Sequence, residues 1–164
     1  MVADIKLQRL VLSDILIFGL IYMVPTFSHL LAFPLYLLDP MRLAVLGSVI
    51  FHVDKRNAYL LALTLPIFSF FIGGHPVFFK SAIIAIELIS NVAILSLLER
   101  KFGFGFMAIF TSIISSKILY YGLKYVAITV GVLETTLVDT GLVIQIAVAL
   151  FISLLYTYMR RKIK

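Results

Sequence analysis

The chain has 164 residues, of which 62% are hydrophobic and only 13% are charged, a composition much more apolar than that of a soluble domain. Its formal net charge of +6 does not indicate nucleic-acid binding, because most basic residues lie at the ends of apolar segments. The absence of cysteine excludes disulfides and thiolate metal sites. The sequence therefore predicts an integral membrane protein that lies in a lipid bilayer and binds no nucleic acid.

Apolar stretches near the length that a membrane-crossing helix needs, about 20 residues, recur along the chain. They are too long and continuous for the alternating strands of a membrane barrel, so we expect an all-α fold. Gly, Pro and charged residues divide them into six spans. The predicted spans are residues 9–24, 40–53, 57–72, 76–98, 104–130 and 140–159. Together they predict one transmembrane domain over residues 1–164, a compact bundle of six transmembrane helices.

The first span follows a basic stretch, as the apolar part of a signal peptide would, but no small-residue cleavage pattern comes after it. We therefore expect it to be retained as a helix. Next comes "PTFSHLLAFPLYLLDP", in which Pro25, Pro34 and Pro40 interrupt a continuous helix. Irregular backbone at membrane depth needs protein or a water-filled cavity beside it. The sequence thus predicts a buried or re-entrant outer loop over residues 25–39.

Basic residues are divided unequally between the two sides of the predicted bundle. If the N-terminus is cytoplasmic, ten of the fourteen Lys and Arg residues fall on the cytoplasmic side. The predicted outer loops, at residues 25–39, 73–75 and 131–139, contain no Lys or Arg. Since basic loops stay in the cytoplasm, this distribution predicts a multi-pass protein of the cell membrane with both termini cytoplasmic.

The other four basic residues lie within predicted spans, where ionisable side chains usually face the bundle interior or a cavity. In the fourth span, Lys80, Glu87 and Asn91 share one helix face at about 100° per residue. In the fifth span, Lys117 and Lys124 are seven residues apart, with two tyrosines beside the same line. Each span therefore has a polar stripe that we expect to face inward.

Depth separates these charges into two groups. Glu87 and Lys117 come close to mid-membrane, and we expect them to pair because an isolated buried charge is costly. Arg42, Lys80 and Lys124 lie nearer the outside, where we expect a cationic cluster with too few acids to neutralise it. Such a cluster favours an anionic ligand.

Structural interpretations of the same residues are also open. Lys80 and Arg42 can extend to lipid headgroups, as long basic side chains near helix ends do. Glu87 and Asn91 can hold neighbouring helices together without contacting a ligand.

Motifs that would mark an enzyme are absent from the sequence. It has no phosphate-binding Gly-rich loop, no Gly-x-Ser-x-Gly and no His-Glu-x-x-His. His29, His52 and His75 are isolated and have no metal-binding spacing, so no metal site is predicted. We expect neither catalysis nor a cofactor, and energy for any transport would come from another subunit.

The segment "LALTLPIFSFFIGGHPVFFKSAIIAIELISNVAILSLLERKFG", residues 61–103, resembles the substrate-binding S components of energy-coupling factor (ECF) transporters. The similarity lies in "LPIFSF" in the third span, the short "GGHP" outer turn, and "IEL" with Asn91 in the fourth span. Six spans and cytoplasmic termini also fit that family. The resemblance implies a subunit that binds a vitamin or related micronutrient and works with a membrane coupling subunit and two ATPase subunits.

The same resemblance implies a pocket open to the outside beneath the loop at residues 25–39. That loop would act as a gate, with His29, Phe33 and Tyr36 as gating residues. The residues implied in substrate binding are Lys80, Glu87, Asn91, Lys117, Tyr121, Lys124 and Arg42. The first span lacks the Ala-xxx-Ala pattern with which many members pack on the coupling subunit, so the sequence does not specify the docking surface.

A protein of another class also fits these residues. A small integral-membrane scaffold of cell-envelope machinery would use its intramembrane charges only to hold its helices together. A pocket bordered by Lys80, Glu87 and Lys124 would favour transport. A solid bundle in which Glu87 and Lys117 form a dry pair would favour the scaffold.

Overall fold

The computed structural model describes residues 2–51, 55–73 and 77–163, and within these ranges it consists of helices and connecting turns without a strand. The predicted all-α fold is confirmed. In chain order the elements are α1 (Val2–Leu30), a 3-10 helix (Leu35–Leu38), α2 (Pro40–Phe51), α3 (Arg56–Gly73), α4 (Phe78–Phe102), α5 (Phe106–Thr129) and α6 (Leu142–Ile163).

Four of the helices are long and apolar enough to cross a membrane. These segments are Val11–Leu30, Phe78–Phe102, Phe106–Thr129 and Leu142–Lys162. Helix α3 is apolar but shorter, and α2 has only 12 residues. At a rise of about 1.5 Å per residue, α2 extends about 18 Å, less than the roughly 30 Å of a bilayer core. The long apolar helices indicate a membrane-embedded protein.

Helix α1 ends later than predicted. It continues through Pro25 to Leu30, so the predicted outer loop at residues 25–39 is wrong over its first six residues. Inside a helix, proline removes one backbone hydrogen bond and its ring clashes with the carbonyl four residues earlier, whereas an irregular apolar segment would leave several backbone groups unsatisfied. The chain turns after Leu30, with left-handed backbone at Ala32 and Asp39 on either side of the 3-10 helix.

Helix α2 lies in the interior of the bundle. It contacts α1, α3, α4 and α6, while α4 packs most extensively against α3 and α5. The side chains of Val45, Leu46 and Val49 on α2 are almost completely buried among its neighbours. Helix α2 is short and begins only at Pro40. The bundle is therefore filled by apolar side chains at the end that α2 reaches, and it is open at the other end.

Ion pairs mark the two ends of the bundle. At one end, Asp139, which precedes α6, forms ion pairs with Lys80 near the start of α4 and with Lys124 of α5. At the other end, Glu99 of α4 lies 2.5 Å from Lys55 and 3.4 Å from Arg160. We call the first end the pocket end, after the cavity described below. We call the second the basic end, because Arg100 and Lys101 also lie there, in the last turn of α4.

Candidate functional site

A cavity of about 530 Å³ opens at the pocket end, above the beginning of α2. Its apolar wall includes Ile84, Ile113 and Ile152, which come from three different helices. Seven charged side chains also line it: Asp39, Arg42, Lys80, Glu87, Lys117, Lys124 and Asp139. A mainly apolar cavity with a few converging polar groups is typical of a small-molecule site. We refer to this cavity as the pocket.

The inner charges form a cluster around Arg42, which is only 1% exposed. Its Nε donates to Asp39 Oδ2 at 2.7 Å and its Nη1 to Ser116 Oγ at 3.1 Å, while Nη2 donates to Glu87 Oε1. Lys117 Nζ completes the group, 3.4 Å from Glu87 Oε1 and 3.6 Å from Asp39 Oδ2. This floor cluster, Asp39, Arg42, Glu87 and Lys117, contains two cations and two carboxylates.

The floor cluster changes two sequence predictions. Glu87 and Lys117 pair as predicted, but Arg42 is the closer partner of Glu87. The prediction that Arg42 belongs to an outer cationic cluster is wrong. The segment after α1 brings the chain back into the bundle before α2 begins, so Arg42 in the first turn of α2 reaches the level of Glu87, well inside α4.

The outer charges form a second cluster, in which two lysines share one carboxylate oxygen. Asp139 Oδ2 accepts from Lys80 Nζ at 2.6 Å and from Lys124 Nζ at 2.8 Å, and Thr136 Oγ1 donates to Oδ1 at 2.9 Å. Lys124 is buried, while the Lys80 and Asp139 side chains are 23% and 36% exposed. We call Lys80, Lys124 and Asp139 the rim cluster.

The rim cluster corrects the expectation that the outer lysines lack an acid. The loop between α5 and α6 folds back over the pocket end and brings Asp139 to both of them. Burial acts to raise the pKa of Asp139, but hydrogen bonds from Lys124, Lys80 and Thr136 outweigh it and hold that pKa below its usual range. Asp139 is therefore a carboxylate at neutral pH.

Asn91 does not line the pocket, although it shares a helix face with Lys80 and Glu87. It is completely buried between α4 and α5, where its Nδ2 donates to Ser112 Oγ at 2.9 Å. Its Oδ1 has no hydrogen-bond partner among the described atoms. The contact with Ser112 fits the structural interpretation, in which Asn91 joins two helices.

Two tyrosines and a glutamine form one side of the pocket. Tyr120 and Tyr121 contact each other edge to face, with ring centroids 5.3 Å apart, and Lys124 Nζ lies 6.0 Å from the Tyr120 ring centroid. Gln145 of α6 donates through Nε2 to the Tyr121 hydroxyl and, at 2.6 Å, to the Thr140 carbonyl. These bonds connect α5 to α6 beside the rim cluster.

The three predicted gating residues border a smaller cavity of about 350 Å³ next to the pocket. Phe33 and Tyr36 lie in the segment between α1 and α2, and Tyr36 lines both cavities. His29 is placed in the last turn of α1 and not in a loop. His52 and His75 lie outside the described residues, which contain no group of His, Asp and Glu suited to hold a metal ion.

The fold and the pocket define a helical, membrane-embedded protein with a charged cavity at one end. No protein-family model, curated protein or solved structure matches the chain. Its function is therefore inferred from the residues that form the pocket and from the distribution of charge along the bundle.

Proposed function

We propose that this protein is the substrate-binding S component of an ECF-type importer, which captures a vitamin or related micronutrient outside the cell. The observation that carries this proposal is the pocket itself. Its volume of about 530 Å³ is within the range of small-molecule sites, roughly 300 to 1,000 Å³. Six of the seven residues that the resemblance implies in substrate binding line it: Arg42, Lys80, Glu87, Lys117, Tyr121 and Lys124.

The charge distribution supports a pocket that faces the outside. Basic residues concentrate at the opposite end of the bundle, in the last turns of α4 and α6, and such residues are retained in the cytoplasm. In this orientation the chain is a multi-pass protein of the cell membrane with both termini cytoplasmic. Helices α1 to α6 then run alternately outward and inward, and the short α2 lies within the bundle.

Partner subunits supply the energy in this proposal. The sequence has no nucleotide-binding motif, so ATP hydrolysis belongs to two ATPase subunits that act through a membrane coupling subunit. The segment with the 3-10 helix lies over the pocket and contacts α1, α2 and α6, which suits a gate that moves when substrate enters. Tyr36 of this segment lines both cavities, whereas Phe33 lines only the smaller one.

A membrane scaffold remains the second candidate, and one observation favours it. Each of the four cations in the pocket lies within 4 Å of a carboxylate, so these charges can stabilise the bundle without a ligand. A scaffold, however, does not require a cavity of this size, and the hydrophobic effect would favour filling it with side chains.

Purification of the tagged protein from its native membranes in a mild detergent separates the two candidates. We expect it to bring with it two ATPase subunits and one polytopic membrane subunit in fixed stoichiometry, identified by mass spectrometry. An untagged strain is the control for non-specific recovery. Recovery of cell-envelope proteins without any ATPase subunit would contradict the importer proposal and support the scaffold.

A further inference from the structure

The two charge clusters of the pocket differ in their balance. The floor cluster has two cations, Arg42 and Lys117, and two carboxylates, Asp39 and Glu87. The rim cluster has two cations but only one carboxylate among the described residues, because Lys80 and Lys124 both bind Asp139. One positive charge at the rim is therefore not neutralised by a carboxylate in the part of the chain that the structure describes.

The geometry of the rim cluster can accommodate a second anion. Lys80 Nζ and Lys124 Nζ lie 2.6 Å and 2.8 Å from the same Asp139 oxygen, so the two nitrogens are at most 5.4 Å apart. Each ammonium has three donors, and Asp139 uses one of each. The Lys80 side chain is 23% exposed and lines the pocket, so its other donors are accessible from the cavity. A second carboxylate between the lysines would give the rim the same balance as the floor.

We infer that the substrate is a small monocarboxylate whose carboxylate binds Lys80 and Lys124 at the rim of the pocket. This inference rests on the proposed function and specifies its substrate class. A monoanion neutralises the single excess charge, whereas a phosphate dianion would leave a negative charge and a neutral ligand would leave the positive one. The rest of the ligand lies between the ring of Tyr120 on one side and the apolar wall, which includes Ile84, on the other.

Matched pairs of acid and neutral compounds test this charge preference. The probes are nicotinate with nicotinamide, biotin with biotinamide, and pantothenate with pantothenol, with Kd measured by calorimetry on protein in phosphatidylcholine nanodiscs. We expect the acid of at least one pair to bind at least about 10-fold more tightly than its neutral counterpart, the difference that a charge-assisted hydrogen bond makes.

Lys80→Gln is the critical variant. It leaves Lys124 paired one to one with Asp139, so it removes the excess charge while the buried lysine keeps its carboxylate. We expect the acid to lose its advantage, so that both members of the pair bind within about threefold of each other. Lys80→Arg should retain the preference. Lys55→Gln removes a lysine paired with Glu99 at the basic end and should change neither affinity.

The outcomes separate this inference from the function on which it rests. Equal binding of acid and neutral compounds, or a preference that persists in Lys80→Gln, would overturn the monocarboxylate and leave the importer proposal intact. Failure of every acid to bind would overturn the monocarboxylate, and recovery of ATPase subunits with the purified protein would then decide whether the importer proposal stands. Loss of acid binding when phosphatidylglycerol is added to the nanodiscs would assign the rim lysines to a lipid phosphate and would also overturn the inference.

Discussion

Glu87→Ala is expected to lower the free energy of unfolding by about 3 to 5 kcal/mol, the usual cost of removing one partner from a buried ion pair. The floor cluster would then have two cations and one carboxylate, and Arg42, which is only 1% exposed, is almost completely shielded from solvent. The measurement is thermal and denaturant unfolding of the purified protein in detergent.

Glu99→Ala is the matched control for Glu87→Ala. Glu99 also contacts two cations, Lys55 and Arg160, but all three side chains are 20% exposed or more. Exposed ion pairs contribute about 1 kcal/mol or less, so the control should change stability little. Replacing both Arg42 and Glu87 with apolar residues should recover part of the loss. Equal effects of Glu87→Ala and Glu99→Ala would contradict the account of the floor cluster.

Asp139→Asn is expected to lower the free energy of unfolding by about 2 kcal/mol. It leaves Lys80 and Lys124 without a carboxylate and with their ammonium groups close together, and Lys124 is buried. The expected loss is smaller than for Glu87, because the Asp139 side chain is 36% exposed and water screens it. Glu134→Gln changes an exposed acid of the same loop and should alter stability by less than about 0.5 kcal/mol.

The same carboxylate gives the stability a defined dependence on pH. The pKa of Asp139 is lower in the folded protein than the value of about 3.9 for an unfolded Asp. Its contribution to the free energy of unfolding is therefore complete above about pH 4 and is lost as the pH falls further. The melting temperature of the parent protein should therefore fall more steeply than that of Asp139→Asn below about pH 4. Identical pH profiles would show that Asp139 is not held by the lysines.

Helical periodicity predicted which side chains face the interior. Lys80 and Glu87 line the pocket and Asn91 lies buried below them, as a single face of α4 requires. Lys117 and Lys124 likewise face inward from α5. These predictions succeeded because the direction of a side chain on a regular helix depends only on residue spacing.

The partners of these side chains could not be predicted in the same way. Asp39 and Asp139 lie in connecting segments, whose paths depend on turns and packing and not on periodicity. The depth of Arg42 depends on how far the segment after α1 returns into the bundle. Pro25 predicts a helix end because proline breaks helices in water, yet an apolar environment favours continued helix. The sequence feature that could have indicated Asp139 is an acidic residue in a predicted outer loop that contains no Lys or Arg.

Native mass spectrometry of the protein purified from its own host tests the central claim most directly. We predict one small organic molecule bound to each chain, released on unfolding, and absent from Ile84→Trp, in which a larger side chain enters the pocket from the wall of α4. Ile114→Trp, on the next helix and outside the pocket, is the control and should retain the molecule. A parent protein that carries no small molecule, and whose melting temperature no vitamin raises, would contradict a substrate-binding function.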